Sequence, residues 1–147
     1  ACKLRLTPEE TRRAQARCPV CGGAITVGVL NRVETLADRP EGGALPATAG
    51  EVRSLIPLAE ILGEVFARGP ATKKVLAAYE ALLARLGPEL AILSELPLAE
   101  IEAVGQPLLG EAIARLRAGR VIREAGYDGC YGVIRLFRPG EEACLSR

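Results

Sequence analysis

Apolar residues recur every three or four positions through the middle of the chain. Leu55, Leu58, Ile61, Leu62, Val65 and Phe66 form one stripe, with Pro57 where a first helical turn tolerates it. Gly69-Pro70 breaks the pattern. Val75, Leu76, Tyr79, Leu82, Leu83 and Leu86 then trace about three turns, ended by Gly87-Pro88. Leu90, Ile92, Leu93 and Leu96 predict a short helix before Pro97. Residues 98–104 and 108–118 predict two more, parted by Gly105-Gln106-Pro107. Towards the end the period changes. Arg120-Val121-Ile122 and residues 131–137 read as extended, around the turn Ala125-Gly126-Tyr127-Asp128-Gly129. Near the start, Thr7-Pro8-Glu9-Glu10 has the form of a capped helix start. Val29, Val33 and Leu36 share one face of another helix. Ala24-Ile25-Thr26-Val27 looks like a strand.

Residues 39–50 hold two Pro and three Gly without periodicity and read as a linker. The expected organisation is a knuckle and following helix over 1–39, a linker over 40–50, and a helical domain with a terminal hairpin over 51–147. The expected fold class is α+β, mostly α.

Composition narrows the chemistry. The chain has 147 residues, 49% hydrophobic, with only two Phe and three Tyr, so its core must be aliphatic. It has no His, which excludes a Ser-His-Asp triad, a Cys-His pair or a His-ligated metal built from this chain alone. No apolar run reaches the ~20 residues of a membrane span and no signal peptide opens the sequence, so no membrane partner and a cytoplasmic location are expected. The net charge of +1 hides a basic start (+3 over 1–40), an acidic middle (−4 over 41–110) and a basic end (+2 over 111–147).

Cys18-Pro19-Val20-Cys21-Gly22-Gly23 carries the sharpest chemical signal. Cys-x-x-Cys followed by Gly makes a tight knuckle that aims two thiolates at one metal, and Gly permits the positive φ that closes it. Cys2, sixteen positions before Cys18, a usual separation between the halves of a zinc ribbon, stands where the second member of an earlier Cys-x-x-Cys would sit. Cys2, Cys18 and Cys21 are therefore expected to hold a structural zinc. A fourth ligand is expected just before residue 1, which would make the chain a piece of a longer protein. A thioredoxin-like redox pair and unliganded thiols remain as alternatives. Cys130 reads as a small buried apolar residue and Cys144 as a tail thiol.

Residues 96–120 have the layout of a helix-hairpin-helix unit, in which turn amides and a helix N-terminus hold a DNA phosphate. The alternative is two helices closing an aliphatic core, since the usual Gly-x-Gly is missing and Glu100, Glu102 and Glu111 oppose phosphates. Arg115, Arg117, Arg120, Arg123, Arg135 and Arg138 form a basic C-terminal stretch, able to neutralise phosphates or to serve as a solvated face.

Three segments together resemble the endonuclease Q family: Cys18-Pro-Val-Cys-Gly-Gly with its continuation from Ile25 to Arg39, Arg53 to Ile61, and Gly126-Tyr-Asp-Gly-Cys-Tyr-Gly-Val-Ile-Arg-Leu-Phe137. They occur in the family's order and span nearly the whole chain. Val52, where an aromatic residue is expected, and Cys130, where a larger aliphatic one is expected, depart from the pattern. The resemblance implies the C-terminal zinc-bearing, DNA-contacting portion of an enzyme that cleaves 5′ of uracil, hypoxanthine or an abasic site. Catalysis would then lie in an upstream polymerase-and-histidinol-phosphatase-type (PHP) domain, making that domain and DNA the expected partners. It also places Arg32, Asp38, Arg39 and Tyr127-Asp128-Gly129 in motif cores that do not serve burial. They would contact the DNA backbone or an extruded nucleotide, or, for Asp38 and Arg39, pair with each other. Tyr127 or Tyr131 could stack on a base, although burial is the commoner fate of a tyrosine in so aliphatic a chain. The expected DNA-binding set is Arg32, Arg39, Arg115, Arg117, Arg120, Tyr127 and Arg135. A different class of role, docking within a larger DNA-processing protein with little DNA contact, is the competing expectation. The family's frequent helicase-like label finds no Gly-x-x-x-x-Gly-Lys-Ser/Thr loop here, so this chain supplies no such motor.

Overall fold

The computed structural model describes residues 2–40, 42–44, 46–104, 106–127 and 130–141. They group into two units, residues 1–51 with 125–132, and residues 52–124 with 133–147.

The first unit holds α1 (Pro8–Arg13) and α2 (Val29–Leu36). Thr7 and Glu10 close a reciprocal capping box at the start of α1: the Glu10 N–H donates to Thr7 Oγ1 at 3.2 Å and the Thr7 N–H to Glu10 Oε2 at 2.8 Å. Arg12 and Glu34 join α1 to α2 at 3.0 Å, an exposed pair contributing ~0–1 kcal/mol. Ala24 meets Arg17 in an isolated bridge and 25–28 form no strand, which corrects the expectation for 24–27. The reason is local: the Ile25 N–H turns back to the Ala16 carbonyl at 3.1 Å, so the segment closes the knuckle instead of extending a sheet. α2 has no buried residue, and Val29, Leu30, Val33 and Leu36 are all more than half exposed.

The second unit is an aliphatic helical bundle of α3 (Leu58–Val65), α4 (Lys73–Leu86), α5 (Glu89–Ser94), α6 (Leu98–Glu102) and α7 (Pro107–Arg117). A two-stranded hairpin follows: β1 (Ile122–Glu124) pairs antiparallel with β2 (Val133–Arg135), Arg123 opposite Ile134. Leu58, Ile61 and Leu62 of α3, Ile92 of α5, Ile101 of α6, and Leu109, Ala112 and Ile113 of α7 are essentially inaccessible and pack with Leu136 and Phe137. Each of the Leu, Ile and Phe side chains among them contributes ~1.5–3 kcal/mol on burial. α7 supplies the most, so it is the central helix of the unit. α4 is peripheral: Val75 and Leu82 are buried, while Leu76 lies outside the core.

Two carboxylates fasten the bundle. Glu89 accepts the Leu58 N–H on Oε1 at 2.7 Å, capping α3 from another helix, and accepts Tyr79 Oη–H on Oε2 at 3.0 Å, which raises the Tyr79 pKa. Glu64 accepts the N–H groups of Leu136 and Phe137 where the chain leaves β2. α6 and α7 pack closely at Gly110, where a Cβ would come within 2.5 Å of Glu102 Cγ. The turn expected to make them a helix-hairpin-helix includes Gly105, outside the described residues. No helix among the described residues is long and apolar enough to cross a membrane.

Candidate functional site

The cysteine centre is built by a reversal after α1. Gln15 and Ala16 both take left-handed φ (49° and 54°), an uncommon pair without glycine, and turn the chain back on itself. The Cys18 N–H then donates to the Gly23 carbonyl at 2.7 Å and the Gly22 N–H to the Cys18 carbonyl at 2.8 Å, with Gly22 at φ 72°. This brings the sulfurs of Cys2, Cys18 and Cys21 within 4.8 Å of one another. Ideal tetrahedral coordination at about 2.3 Å per Zn–S bond spaces sulfurs about 3.8 Å apart, within the bound this cluster meets. The donor set fits. Backbone N–H groups of Cys21 and Val20 point at the buried Cys18 sulfur and hold its pKa below that of an ordinary thiol, favouring the thiolate a metal needs. Cys2 is pushed up to about 11, first by hydrogen bonding with Cys21, then with Cys18, and by the like charge both would carry. Among the described residues no fourth Cys, Asp or Glu joins the cluster. Cys144 lies outside them.

Within the same unit, residues 4–6, 25–26, 28–31, 125–127 and 130–132 border a cavity of about 460 Å³ whose lining includes Arg5, Asn31, Tyr127 and Tyr131. Tyr127 and Cys130 exchange backbone hydrogen bonds across its tip, at 3.0 and 2.7 Å. Gly126 permits this curl, since a Cβ there would stand 2.0 Å from the Cys130 carbonyl oxygen. Cys130 is exposed, which corrects the expectation of burial; so tight a turn stacks no apolar layer over it. Tyr127 (42%) and Tyr131 (98%) are also exposed. Asp128 and Gly129 lie outside the described residues.

The arginines divide by what they touch. Arg115 is largely buried and saturated: it donates to Glu111 (2.7 Å), the Leu136 carbonyl (3.0 Å) and Glu141 (2.7 Å), and lies 4.7 Å over the Phe137 ring. Arg117 donates to the Leu93 and Ile92 carbonyls at 2.9 Å, capping α5 from α7; burial, then neighbouring Arg53, lowers its pKa. Arg39 forks onto Asp38 at 2.8 and 3.2 Å, so these two neighbours do pair with each other. Arg32 and Arg135 are exposed without an ion-pair partner among the described residues, and Arg120 lies only 3.9 Å from Glu111.

The family described as the MJ0043 C-terminal domain matches residues 57–120. Over 140 residues the chain is 33% identical to the uncharacterized protein MJ0043 of Methanocaldococcus jannaschii, covering 94% of this chain and 17% of that protein. The structure of the lesion-specific endonuclease PfuEndoQ from Pyrococcus furiosus superposes with a TM-score of 0.75 at 33% identity, over 91% of this chain and 32% of that one. Over more than nine-tenths of its length the chain is thus similar to an endonuclease Q structure, at about one-third identity. A second endonuclease Q structure, in complex with a 27-mer duplex carrying an abasic lesion at its active site, matches at TM-score 0.73 and 32% identity, over 94% of this chain and 34% of that one. The chain thus spans about a third of the endonuclease Q chains it matches, and less of MJ0043.

The three segments that resemble endonuclease Q fall on the knuckle with α2, on the entry into α3, and on the hairpin tip with β2. Sequence reasoning did not single out Glu64 or Glu89. The main-chain amides they accept lie tens of residues away and leave no pattern in the sequence.

Proposed function

We propose that the chain is the zinc-stabilised, DNA-binding portion of an endonuclease-Q-like enzyme that nicks DNA 5′ of deaminated bases or abasic sites. Catalysis would reside in a PHP domain outside these residues. The observation that carries this reading is the match of more than nine-tenths of the chain, at about one-third identity, to endonuclease Q crystallised on a lesion-bearing duplex. The cysteine cluster supports zinc as the metal: three thiol donors at one point, with amides pre-aimed at the most buried sulfur, suit a soft tetrahedral ion. A fourth donor from outside the described residues would close the site. Zinc there would supply folding energy to a unit whose described residues bury little apart from Pro8, Thr11 and Cys18. Arg32, Arg120 and Arg135 have donors to offer phosphates, Arg39 can contribute alongside its Asp38 pair, and Tyr127 presents a ring for stacking.

The test is metal analysis combined with duplex binding at several salt concentrations. About one zinc per chain and an affinity falling steeply with salt support the reading. A metal-free chain with no affinity for uracil-, hypoxanthine- or abasic-containing duplex overturns it.

The exposed apolar face of α2 favours a second role alongside the first, docking on the rest of a larger DNA-processing protein. Under this reading Val33→Asp leaves stability within ~0.5 kcal/mol of the parent and abolishes association with a separately expressed catalytic domain. Association undiminished by that change removes α2 from the interface.

A further inference from the structure

In the second unit, the turn after α7 and the segment after β2 enclose an open cleft of about 390 Å³, lined by Arg115, Arg120, Arg138, Glu141 and apolar backbone neighbours. Its floor is fixed. Arg115 is locked by Glu111, Glu141 and the Leu136 carbonyl, and Glu141 spends its second oxygen on the Arg138 N–H at 2.9 Å. The rim is not. The Arg138 side chain makes no hydrogen bond or ion pair among the described residues, its charge acting on Glu141 only through space, and Arg120 reaches only to 3.9 Å from Glu111, too far for a hydrogen bond. Two planar guanidinium groups, each with five donors, thus border one concavity with their donors unspent. Among the described residues the charges there are three arginines against Glu111 and Glu141, an excess of one positive charge. A phosphodiester carries one negative charge and offers oxygens that a guanidinium fork matches.

We infer that this cleft is a phosphate seat, with Arg120 and Arg138 as the contacting forks and Arg115 as a fixed cation beneath them. Its chemistry needs only a phosphate group, from a nucleic-acid backbone or from a small phosphorylated ligand. The preference for a backbone phosphate rests on the DNA-binding reading above. The turn is shaped for the purpose by Gly119 (φ 67°), beyond which the Arg120 N–H returns to the Arg115 carbonyl at 2.9 Å and fixes where its side chain departs.

The experiment uses the full chain and its Arg120→Gln, Arg138→Gln and Arg85→Gln variants, the last removing an exposed arginine at the end of α4. Duplex affinity is measured across a salt series. In parallel, inorganic phosphate is titrated into each protein while the arginine Nε–H resonances are followed by NMR. A backbone seat lowers the log–log salt slope by about one for Arg120→Gln and for Arg138→Gln, and leaves it unchanged for Arg85→Gln. A seat for a small phosphorylated ligand leaves all slopes equal, yet inorganic phosphate shifts the Arg120 and Arg138 signals together and saturably. If the chain binds no DNA, the DNA-binding reading fails and the phosphate titration alone decides the cleft. Unchanged slopes with no concerted shift at Arg120 and Arg138 overturn the inference.

Discussion

Glu64, in the last turn of α3, accepts the backbone N–H of Phe137 on Oε1 at 2.7 Å, although the two residues are 73 positions apart. The same carboxylate takes the Leu136 N–H at 2.9–3.0 Å. Two amides that lose their ladder partner where the chain leaves β2 are thereby satisfied as Phe137 enters the core.

Glu64→Ala leaves both amides without an acceptor in a part-buried setting, and a cost of ~2–4 kcal/mol is expected. Glu64→Gln keeps one carbonyl oxygen in place and is expected to lose about half as much. Urea unfolding of the two variants checks this. Equal losses would show that the negative charge, not the acceptor geometry, matters.

Folding holds the Glu141 carboxyl at about 2, below its ordinary 4.5, first through the hydrogen bond from Arg115 and then through that from the Arg138 N–H. The folded chain therefore binds fewer protons than the unfolded chain between those values. The resulting stabilisation is complete above pH ~4.5 and declines as pH falls towards 2. Glu141→Gln is accordingly destabilising at pH 7, and its gap from the parent protein narrows on acidification. Denaturant midpoints at pH 7, 4 and 3 read this directly; a gap independent of pH would break the link to Glu141.

Cys18→Ser removes the sulfur on which two backbone amides converge, and metal content is expected to fall from about one per chain to near zero. Because the ion must displace thiol protons, uptake by the parent chain releases protons and weakens as pH drops. Chelation should broaden or shift amide signals of α1 and the knuckle while those of α7 persist. Identical spectra with and without chelator would contradict a structural metal.

Gly126→Ala sets a methyl group 2.0 Å from the Cys130 carbonyl, and the paired tip of Tyr127 and Cys130 is expected to open. Gly28→Ala, at the N-cap of α2 with φ −75° and nothing within 4 Å of the new Cβ, is the matched change expected to be tolerated. Amide exchange at Tyr127 and Cys130 distinguishes them: fast in the first, unaltered in the second.

Much of this structure is legible in the amino-acid order because its causes are local. Thr7, Pro8 and Glu10 specify the start of α1, and Gly87-Pro88 the end of α4 at φ 93°. Cys18, Cys21 and Gly22 specify the knuckle, since turn, amide direction and sulfur placement are settled within five residues. The boundaries that shifted did so for short-range reasons as well. Pro57 becomes the N-cap of α3, and Arg120 joins the turn after α7 instead of β1.

The sequence by itself settled the helical bundle, its aliphatic core, the metal-type knuckle and the likeness to endonuclease Q, all of which depend on neighbours three or four positions apart or on contiguous motifs. Only the tertiary structure decided which arginines keep free donors. Arg115 and Arg117 are spent on Glu141, Leu136, Ile92 and Leu93, 21 to 26 positions away, whereas Arg120 and Arg138 are not. It also decided that Cys130 and the apolar face of α2 lie in the open. A side chain's type records what it can bond; what it does bond depends on which distant backbone the fold brings beside it.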